Sequence, residues 1–349
     1  VPSRLDSDDS FKTFLGWIGD CVQNHDLCKS NQHTQIPTRV LDLDHEETTT
    51  IRLVETEASS HSGRYVCLSH CWGKANLECL TTKATLGRNK QGLPWDVLPK
   101  TFQDSILFTR RLNVRYLWID SICIIQDSED DWQRESSLMS QIYQGAYLTL
   151  AAGWAKDDTE GLFKKTLTKH HSVQVLGLSK SRLPDSIFMR TPLWHTWGWR
   201  GSSADVESHP LISRAWCFQE RLLSPRVLYF NAHELVWECM TSSRCQCTMS
   251  GDPSPKIQYA QSGTATYQDL VNIWHELVER YSTLKLTFES DIFPALSGVA
   301  KEMQQQRAGP LYYAGLWSDS LEKDLFWYNP FLPARAPVVW RAPSWSWAS

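Results

Sequence analysis

The chain of 349 residues lacks the features that would place it in a membrane or on nucleic acid. It contains no run of 18 apolar residues, and residues 1–6 do not begin the apolar segment of a signal peptide. Its 35 lysines and arginines against 39 aspartates and glutamates leave a net charge of −4, with no basic patch for a phosphate backbone. It also lacks a P-loop and a G-x-G-x-x-G sequence. We therefore expect a cytoplasmic protein that binds a small molecule and contacts neither nucleic acid nor membrane.

Cysteine is too sparse to act as a scaffold, whereas tryptophan is abundant. Ten cysteines in 349 residues, about 3%, fall below the range of disulfide-stapled domains, so buried thiols in a reducing compartment are expected. The 17 tryptophans include Trp194, Trp197 and Trp199 in one segment and Trp345 and Trp347 in another. An indole ring buries a large area but needs a partner for its N–H group. These segments are therefore predicted to line pockets or to pack at contacts between domains.

The central part of the chain alternates between strand-like and helix-like patterns. A buried strand at 65–71 is followed by a helix opened by Pro99, a strand at 116–122, a helix over 129–146 and a strand at 147–151. Because each crossover carries a helix, the three strands are expected to be parallel neighbours. The sequence therefore predicts an α/β fold, with a three-layer core around a mostly parallel sheet.

Three segments can be distinguished along the chain. Residues 1–50 form an N-terminal helix and strand segment, and residues 51–250 form the α/β core, which includes a tryptophan-rich insertion at 153–213. A stretch rich in serine, glycine and proline at 248–266 marks the boundary to a smaller C-terminal part. That part, residues 251–349, is predicted to consist of helices and strands that pack on the core.

Three potential metal ligands lie close together near the N-terminus. Cys21, His25 and Cys28 are spaced i, i+4 and i+7 in a helix predicted over residues 11–28, so one helix face would present all three. A thiolate from the cysteines at 239–247, assigned here to Cys247, would complete a tetrahedral site for a structural zinc ion. Free thiols or a disulfide are the alternative.

Polar residues fall where two of the predicted parallel strands end, the position at which open α/β sheets bind ligands. Neighbours in a strand point to opposite faces, so Ser69 and Cys71 would share one face and His70 would occupy the other. Asp120 ends the second strand, where a carboxylate is costly to bury unless it is paired. The residues assigned to catalysis are Ser69, His70 and Asp120, and those assigned to ligand binding are Cys71 and Ser121. Core packing and capping of the following turn are the alternatives.

Glu135 is a carboxylate on the apolar face of a predicted helix. It lies three and four residues from Trp132 and Met139, which belong to the same face. Such a group is either a catalytic carboxyl with a shifted pKa or the partner of an arginine. Both interpretations are kept.

Four sequence blocks resemble the fungal heterokaryon-incompatibility (HET) family, in the order expected along the chain. They are YVCLSHCWG at 65–73, LPKTFQDSI at 98–106, YLWIDSICIIQD at 116–127 and RAWCFQERLLSPR at 214–226. The resemblance implies a part in non-self recognition and in cell death on hyphal fusion. Related genes in secondary-metabolite clusters imply a biosynthetic role as the alternative.

The last block also resembles a motif of TIR domains, flavodoxin-like modules of which some cleave the nicotinamide bond of NAD. In those domains a catalytic glutamate ends a Trp-Cys-x-x-Glu pattern on a helix, which corresponds here to Trp216, Cys217 and Glu220. The resemblance implies that Glu220 stabilises positive charge at the ribose and that Trp216 and Trp72 stack on flat rings. Gln219, next to Glu220, is assigned to ligand binding as well.

Together these patterns predict a HET protein that is an enzyme with a pocket at the strand ends, acting on NAD or on another nucleotide. A cofactor-free cyclase or isomerase of a fungal metabolite is the first alternative. The second is a non-catalytic signalling module that works by self-association, which leaves a homo-oligomer open. The chemistry needs no cofactor: NAD would be a substrate, and zinc would be structural.

Overall fold

The computed structural model of the protein describes residues 4–29, 34–43, 50–56, 62–73, 78–164, 173–176, 186–189, 209–247, 254–328 and 340–349. Nine strands of these residues form one mixed sheet. In their order across the sheet they are β13 (Ser243–Cys245), β12 (Leu235–Cys239), β11 (Arg226–Phe230), β8 (Leu148–Ala151), β5 (Tyr65–Ser69), β7 (Tyr116–Trp118), β2 (Arg39–Asp42), β3 (Thr50–Glu55) and β6 (Leu93–Pro94). Three further pairs are β1 (Thr34–Gln35) with β4 (Ser62–Gly63), β9 (Val173–Leu176) with β10 (Ser186–Met189), and β14 (Tyr312–Tyr313) with β15 (Leu316–Trp317).

The centre of the large sheet is parallel and its flanks are antiparallel. Strand β5 pairs in parallel with β7 on one side and with β8 on the other, and β8 pairs in parallel with β11. The prediction of an α/β fold with three parallel neighbours is therefore confirmed. The second strand is shorter than predicted, because it ends at Trp118 and residues Asp120–Cys123 turn into a short helix.

The helices of the described residues connect and cover these strands. They are α1 (Asp8–Asn24), α2 (Leu86–Gln91), α3 (Lys100–Arg111), α4 (Asp120–Cys123), α5 (Glu129–Gly145), α6 (Ala215–Leu223), α7 (Pro255–Ala260), α8 (Tyr267–Tyr281), α9 (Pro294–Gln306) and α10 (Leu321–Asp324). None of them is long and apolar enough to cross a bilayer.

Helices lie on both faces of the sheet because successive strand residues alternate between the faces. In β12, the ring of Trp237 packs on Phe14 of α1 with centroids 5.9 Å apart, whereas the next residue, Glu238, pairs with Arg221 of α6. Helix α3 joins α1 on the first face, where the ring centroids of Phe108 and Phe14 are 5.4 Å apart. Helices α5 and α6 pack together on the second face. The result is the three-layer core that the sequence predicts.

Helix α6 also contacts the C-terminal part of the chain. Its residues Phe218 and Leu222 are buried in an apolar cluster with Trp274 of α8, Leu296 of α9 and Trp317 of β15. The tryptophans at 194, 197 and 199 lie outside the described residues. The proposed division at residues 50 and 250 stays a prediction.

Candidate functional site

The carboxyl ends of β5 and β7 bring Ser69, His70 and Asp120 to one edge of the parallel sheet. Ser69 is the last residue of β5 and points toward α6, whereas His70 points to the opposite face, where its ring packs edge-on against Phe102 of α3 at 5.1 Å. Asp120 follows β7 and begins α4. The alternation of faces and the convergence at this edge agree with the pattern in the sequence.

Asp120 is the partly open member of this group. Its side chain is 19% exposed, and its Oδ2 accepts a hydrogen bond of 2.9 Å from the indole Nε1 of half-buried Trp72. Its Oδ1 accepts from the backbone N–H of Ser121 at 2.7 Å and lies 3.8 Å from His70 Nδ1. The carboxylate therefore faces solvent on one side and the buried imidazole on the other, and it accepts a hydrogen bond from the first turn of α4.

His70 is held between two carboxyl groups. Its Nε2 lies 3.3 Å from Oδ1 of Asp158, and both side chains are 1% exposed. Burial lowers the pKa of His70 to about 4, against the opposing effect of Asp120. Burial, and next the negative charge of Asp120, raise the pKa of Asp158 to about 8. At neutral pH the pair therefore consists of a neutral imidazole and a protonated carboxyl.

Glu220 occupies the opposite side of the strand end, on helix α6. Burial and the nearby Asp120 raise its pKa to about 7, while the hydroxyl of Ser69 and the charge of Arg214 act in the other direction. Arg214 stands at the start of the same helix and donates from Nη1 to the carbonyl oxygen of His70 at 3.2 Å. The site thus brings the guanidinium of Arg214 together with the carboxyl groups of Asp120, Asp158 and Glu220.

Several buried polar atoms at this edge have no hydrogen-bond partner within the described part of the chain. They are His70 Nε2, Ser121 Oγ, both carboxyl oxygens of Asp158 and Glu220 Oε2; the approach of His70 Nε2 to Asp158 Oδ1 at 3.3 Å lacks the geometry of a hydrogen bond. Buried polar groups in folded proteins are nearly always paired, so a concentration of unpaired ones is unusual outside a functional site. We take these atoms as the centre of the candidate site.

Two of the residues in this group were missed by the sequence analysis. Arg214 is the first residue of the last of the four blocks, and this position could have indicated that it belongs to the site. Asp158 lies in the irregular segment after β8, where no pattern distinguishes it from its neighbour Asp157.

Three of the assigned residues point away from this group. The indole N–H of Trp216 donates to Asp291 at 2.9 Å, and Gln219 accepts from the backbone N–H of Gly298 at 2.7 Å, so both face the C-terminal part of the chain. Glu135 is 1% exposed and lies 3.6 Å from the guanidinium of Arg39. For Glu135 the geometry favours the structural ion pair that the sequence left open.

Cys71 belongs to an apolar cluster on the α6 side of the sheet, together with Cys217, Val227 and Tyr229. A small cavity of about 10 Å³ opens beside this cluster, and Ser69 and Cys217 are among its lining residues. Its volume is enough for about one water molecule. Cys71 is therefore next to the candidate site, as part of its wall.

The candidate metal ligands converge, with two corrections to the sequence prediction. Ligand atoms of Cys21, His25, Cys28 and Cys239 all lie within 4.8 Å of one another. The assigned fourth ligand, Cys247, is wrong, because it lies in a separate group with Glu234 and Cys245. The single helix over residues 11–28 is also wrong: α1 ends at Asn24, His25 is extended, and Cys28 closes a separate turn of 3₁₀-helix.

Comparison with known proteins gives one match. Residues 65–220 match the family model described as Heterokaryon incompatibility protein (HET). The matched segment runs from the first residue of β5 to Glu220, and it therefore contains the candidate site. No curated protein and no solved structure matches the chain, so the likeness to TIR domains stays a prediction.

Proposed function

We propose, from the premise that residues 65–220 belong to the heterokaryon-incompatibility family, that this protein acts in incompatibility signalling as an enzyme that cleaves the nicotinamide–ribose bond of NAD. The observation that carries the proposal is the concentration of unpaired, buried polar atoms at the carboxyl ends of β5 and β7. Ligands of open α/β sheets bind at this position. Maintaining such groups without partners costs stability, and a function in catalysis accounts for that cost.

The reaction requires a carboxylate near a centre that becomes positively charged. The bond between ribose C1′ and the pyridinium nitrogen breaks, and its electron pair goes to nicotinamide, which leaves as a neutral molecule. The oxygen of a water molecule bonds to C1′ and gives one proton to a carboxylate, so the products are nicotinamide and ADP-ribose. Glu220 suits both tasks, because a pKa of about 7 makes it available as a base and a cationic centre favours its ionised form.

The neighbouring residues would orient Glu220 and give the substrate access to it. Asp120 and Trp72 form the partly open side, where the half-buried indole can contact the flat ring of the substrate. Ser69 holds the carboxyl of Glu220 from the strand, and Arg214 provides a positive charge from the start of the same helix. These residues would position Glu220 and a substrate without a cofactor.

The test is to incubate the purified protein with NAD and to measure nicotinamide and ADP-ribose by chromatography. Glu220→Gln should lower the turnover by roughly 10²–10³-fold, the effect of losing one preorganised electrostatic group. Glu279→Gln, an exposed position on α8, is the matched control and should keep full turnover. Circular dichroism of both variants establishes that they are folded. Equal turnover by the wild-type and Glu220→Gln proteins would remove Glu220 from the mechanism.

A second candidate function rests on the pairing of His70 with Asp158. A protonated carboxyl beside a neutral imidazole, close to the ionisable Asp120, offers an acid and a base at one place. Such a pair is suited to a cofactor-free isomerisation or cyclisation of a small metabolite. A protein that leaves NAD intact but converts a metabolite of its producing organism, and loses this activity on His70→Gln, would favour the second candidate. Absence of both activities would favour the non-catalytic signalling module.

A further inference from the structure

A group of three thiols and one imidazole lies on the α1 face of the sheet, opposite the face that carries Glu220. It consists of Cys21, His25, Cys28 and Cys239, which come from α1, from the turn after it and from β12. More than 200 residues of chain separate the first three from the fourth. The three cysteines are fully buried and the histidine side chain is 12% exposed. This group has no contact with the proposed chemistry of Glu220.

The separations between these atoms fit a tetrahedral metal ion. Zinc bound by sulfur at about 2.3 Å and by nitrogen at about 2.0–2.1 Å holds neighbouring ligand atoms roughly 3.5–3.8 Å apart. Here Cys239 Sγ lies 3.3 Å from His25 Nδ1, and no pair in the group exceeds 4.8 Å. A Cys₃His set of this size matches the ligands of structural zinc sites, which leave no open position for a substrate.

The surroundings of the group resemble those that support metal ligands. The backbone N–H of Ser242 points at Cys239 Sγ from 3.3 Å, a contact that stabilises a thiolate. On the other side of the imidazole, His25 Nε2 faces the carboxylate of Asp20 at 4.0 Å. A histidine that binds a metal through one nitrogen usually directs the other to a carboxylate or carbonyl, which fixes the ring. Asp20 is in turn paired with Arg244 of β13.

We propose that Cys21, His25, Cys28 and Cys239 form a closed structural zinc site that fastens the N-terminal segment to the outer strands of the sheet. Binding one Zn²⁺ replaces the protons of the three thiols, which are released to the solvent. The ion then joins residues that are more than 200 positions apart in the sequence, and its loss should loosen α1 from β12. A disulfide would use two of the thiols and would leave the third and the imidazole without a common function.

The first test measures zinc in the purified wild-type protein by inductively coupled plasma mass spectrometry. One zinc per chain is expected. Cys239→Ser should lose it, while Cys247→Ser, the matched control from the neighbouring group of Glu234, Cys245 and Cys247, should keep it. Loss of zinc from Cys247→Ser but not from Cys239→Ser would overturn the assignment. A protein without zinc whose intact mass is two hydrogens lower before reduction would overturn it too, because that mass indicates a disulfide.

The second test keeps the proposal decidable if Cys239→Ser does not fold. Wild-type protein loaded with Co²⁺ should show thiolate-to-cobalt charge-transfer bands and the intense visible bands of a tetrahedral ion. Bands of an octahedral ion, or none, would refute the site. Treatment of the zinc protein with a chelator should lower its melting temperature by roughly 5–10 °C, and added zinc should restore it. An unchanged melting temperature after complete removal of the zinc would refute the structural role.

Discussion

Replacing Glu220 with glutamine should make the protein more stable above neutral pH, although it removes the group on which the proposed chemistry depends. Glu220 is 4% exposed, and its pKa is raised from about 4.5 to about 7, first by burial and then by the charge of Asp120. Between these two pH values the folded state binds more protons than the unfolded state. The free energy of unfolding therefore falls as pH rises from about 4.5 to about 7, and it stays low above that.

The magnitude follows from the size of the shift. A pKa difference of roughly 2.5 units at 1.36 kcal/mol per unit amounts to about 3 kcal/mol at full ionisation. Glutamine has the shape of the protonated acid and carries no charge at any pH. The variant therefore does not lose the stability that wild type loses when the buried carboxyl ionises. Wild type and Glu220→Gln should be similar near pH 5, and the variant should be about 3 kcal/mol more stable near pH 8.

Urea denaturation followed by tryptophan fluorescence at both pH values measures this difference. The matched control is Glu238→Gln, at an equally buried glutamate of the neighbouring strand. Burial alone would raise the pKa of Glu238, but Arg221, whose Nε lies 2.8 Å from Oε2, lowers it to about 2. Its stabilising effect is present above a pH of about 4.5 and is lost as pH falls toward 2. At pH 8 the control should therefore lose stability, by roughly 3–5 kcal/mol, because Arg221 is left without its partner.

The distinctive result is that at pH 8 Glu220→Gln raises the free energy of unfolding, whereas Glu238→Gln lowers it. If Glu220→Gln were no more stable than wild type near pH 8, the carboxyl of Glu220 would not be a desolvated group with a raised pKa. Glu220 would then lack the raised pKa that suits it to act as a base near neutral pH, whatever the turnover of the variant.

Two further predictions concern packing and ion pairs, both measured as free energies of unfolding in urea. Gly298→Ala should destabilise the protein by roughly 1–3 kcal/mol, because the new Cβ would lie 2.3 Å from Cβ of Ser140 where α9 meets α5. The control Gly16→Ala, which has open space around the new Cβ, should stabilise the protein by roughly 0.5–1 kcal/mol. Equal effects of the two substitutions would contradict the close packing at Gly298. Arg39→Met should cost roughly 3–5 kcal/mol, since it removes the buried guanidinium that faces both Asp131 and Glu135 and leaves Asp131 only its half-exposed partner Arg134. A neutral result would mean that the buried guanidinium is dispensable.

The parallel centre of the fold could be predicted because its signals are local. Each of β5, β7 and β8 is a short apolar run, and the helices between them permit only a crossover connection. The position of Asp120 at the sheet edge follows from the same rule, which brings the ends of parallel strands together. Its place at the start of α4, instead of the end of a longer strand, could not be read from the continuous apolar pattern.

The fourth candidate metal ligand and the neighbours of Trp216 and Glu220 could not be predicted, because they depend on tertiary contacts. Cys239 and Cys247 are eight residues apart, and only the path of the chain through β12 decides which of them meets His25. Trp216 and Glu220 share a helix face by spacing, yet α6 is buried on nearly all sides. Helical periodicity alone therefore does not tell which neighbour each of these residues contacts.

Helix α6 has a consequence for the modularity of this protein. The stretch that matches the family model ends at Glu220, inside that helix, while five of the nine strands of the sheet, β2, β3, β11, β12 and β13, lie outside it. Phe218 and Leu222 of α6 are buried in an apolar cluster with residues of the C-terminal part of the chain. The segment that matches the family model and the sheet that it belongs to therefore have different borders. A recombination event or an engineered chimera that exchanged residues 65–220 alone would transfer the site but would separate its last helix from the C-terminal residues that pack against it.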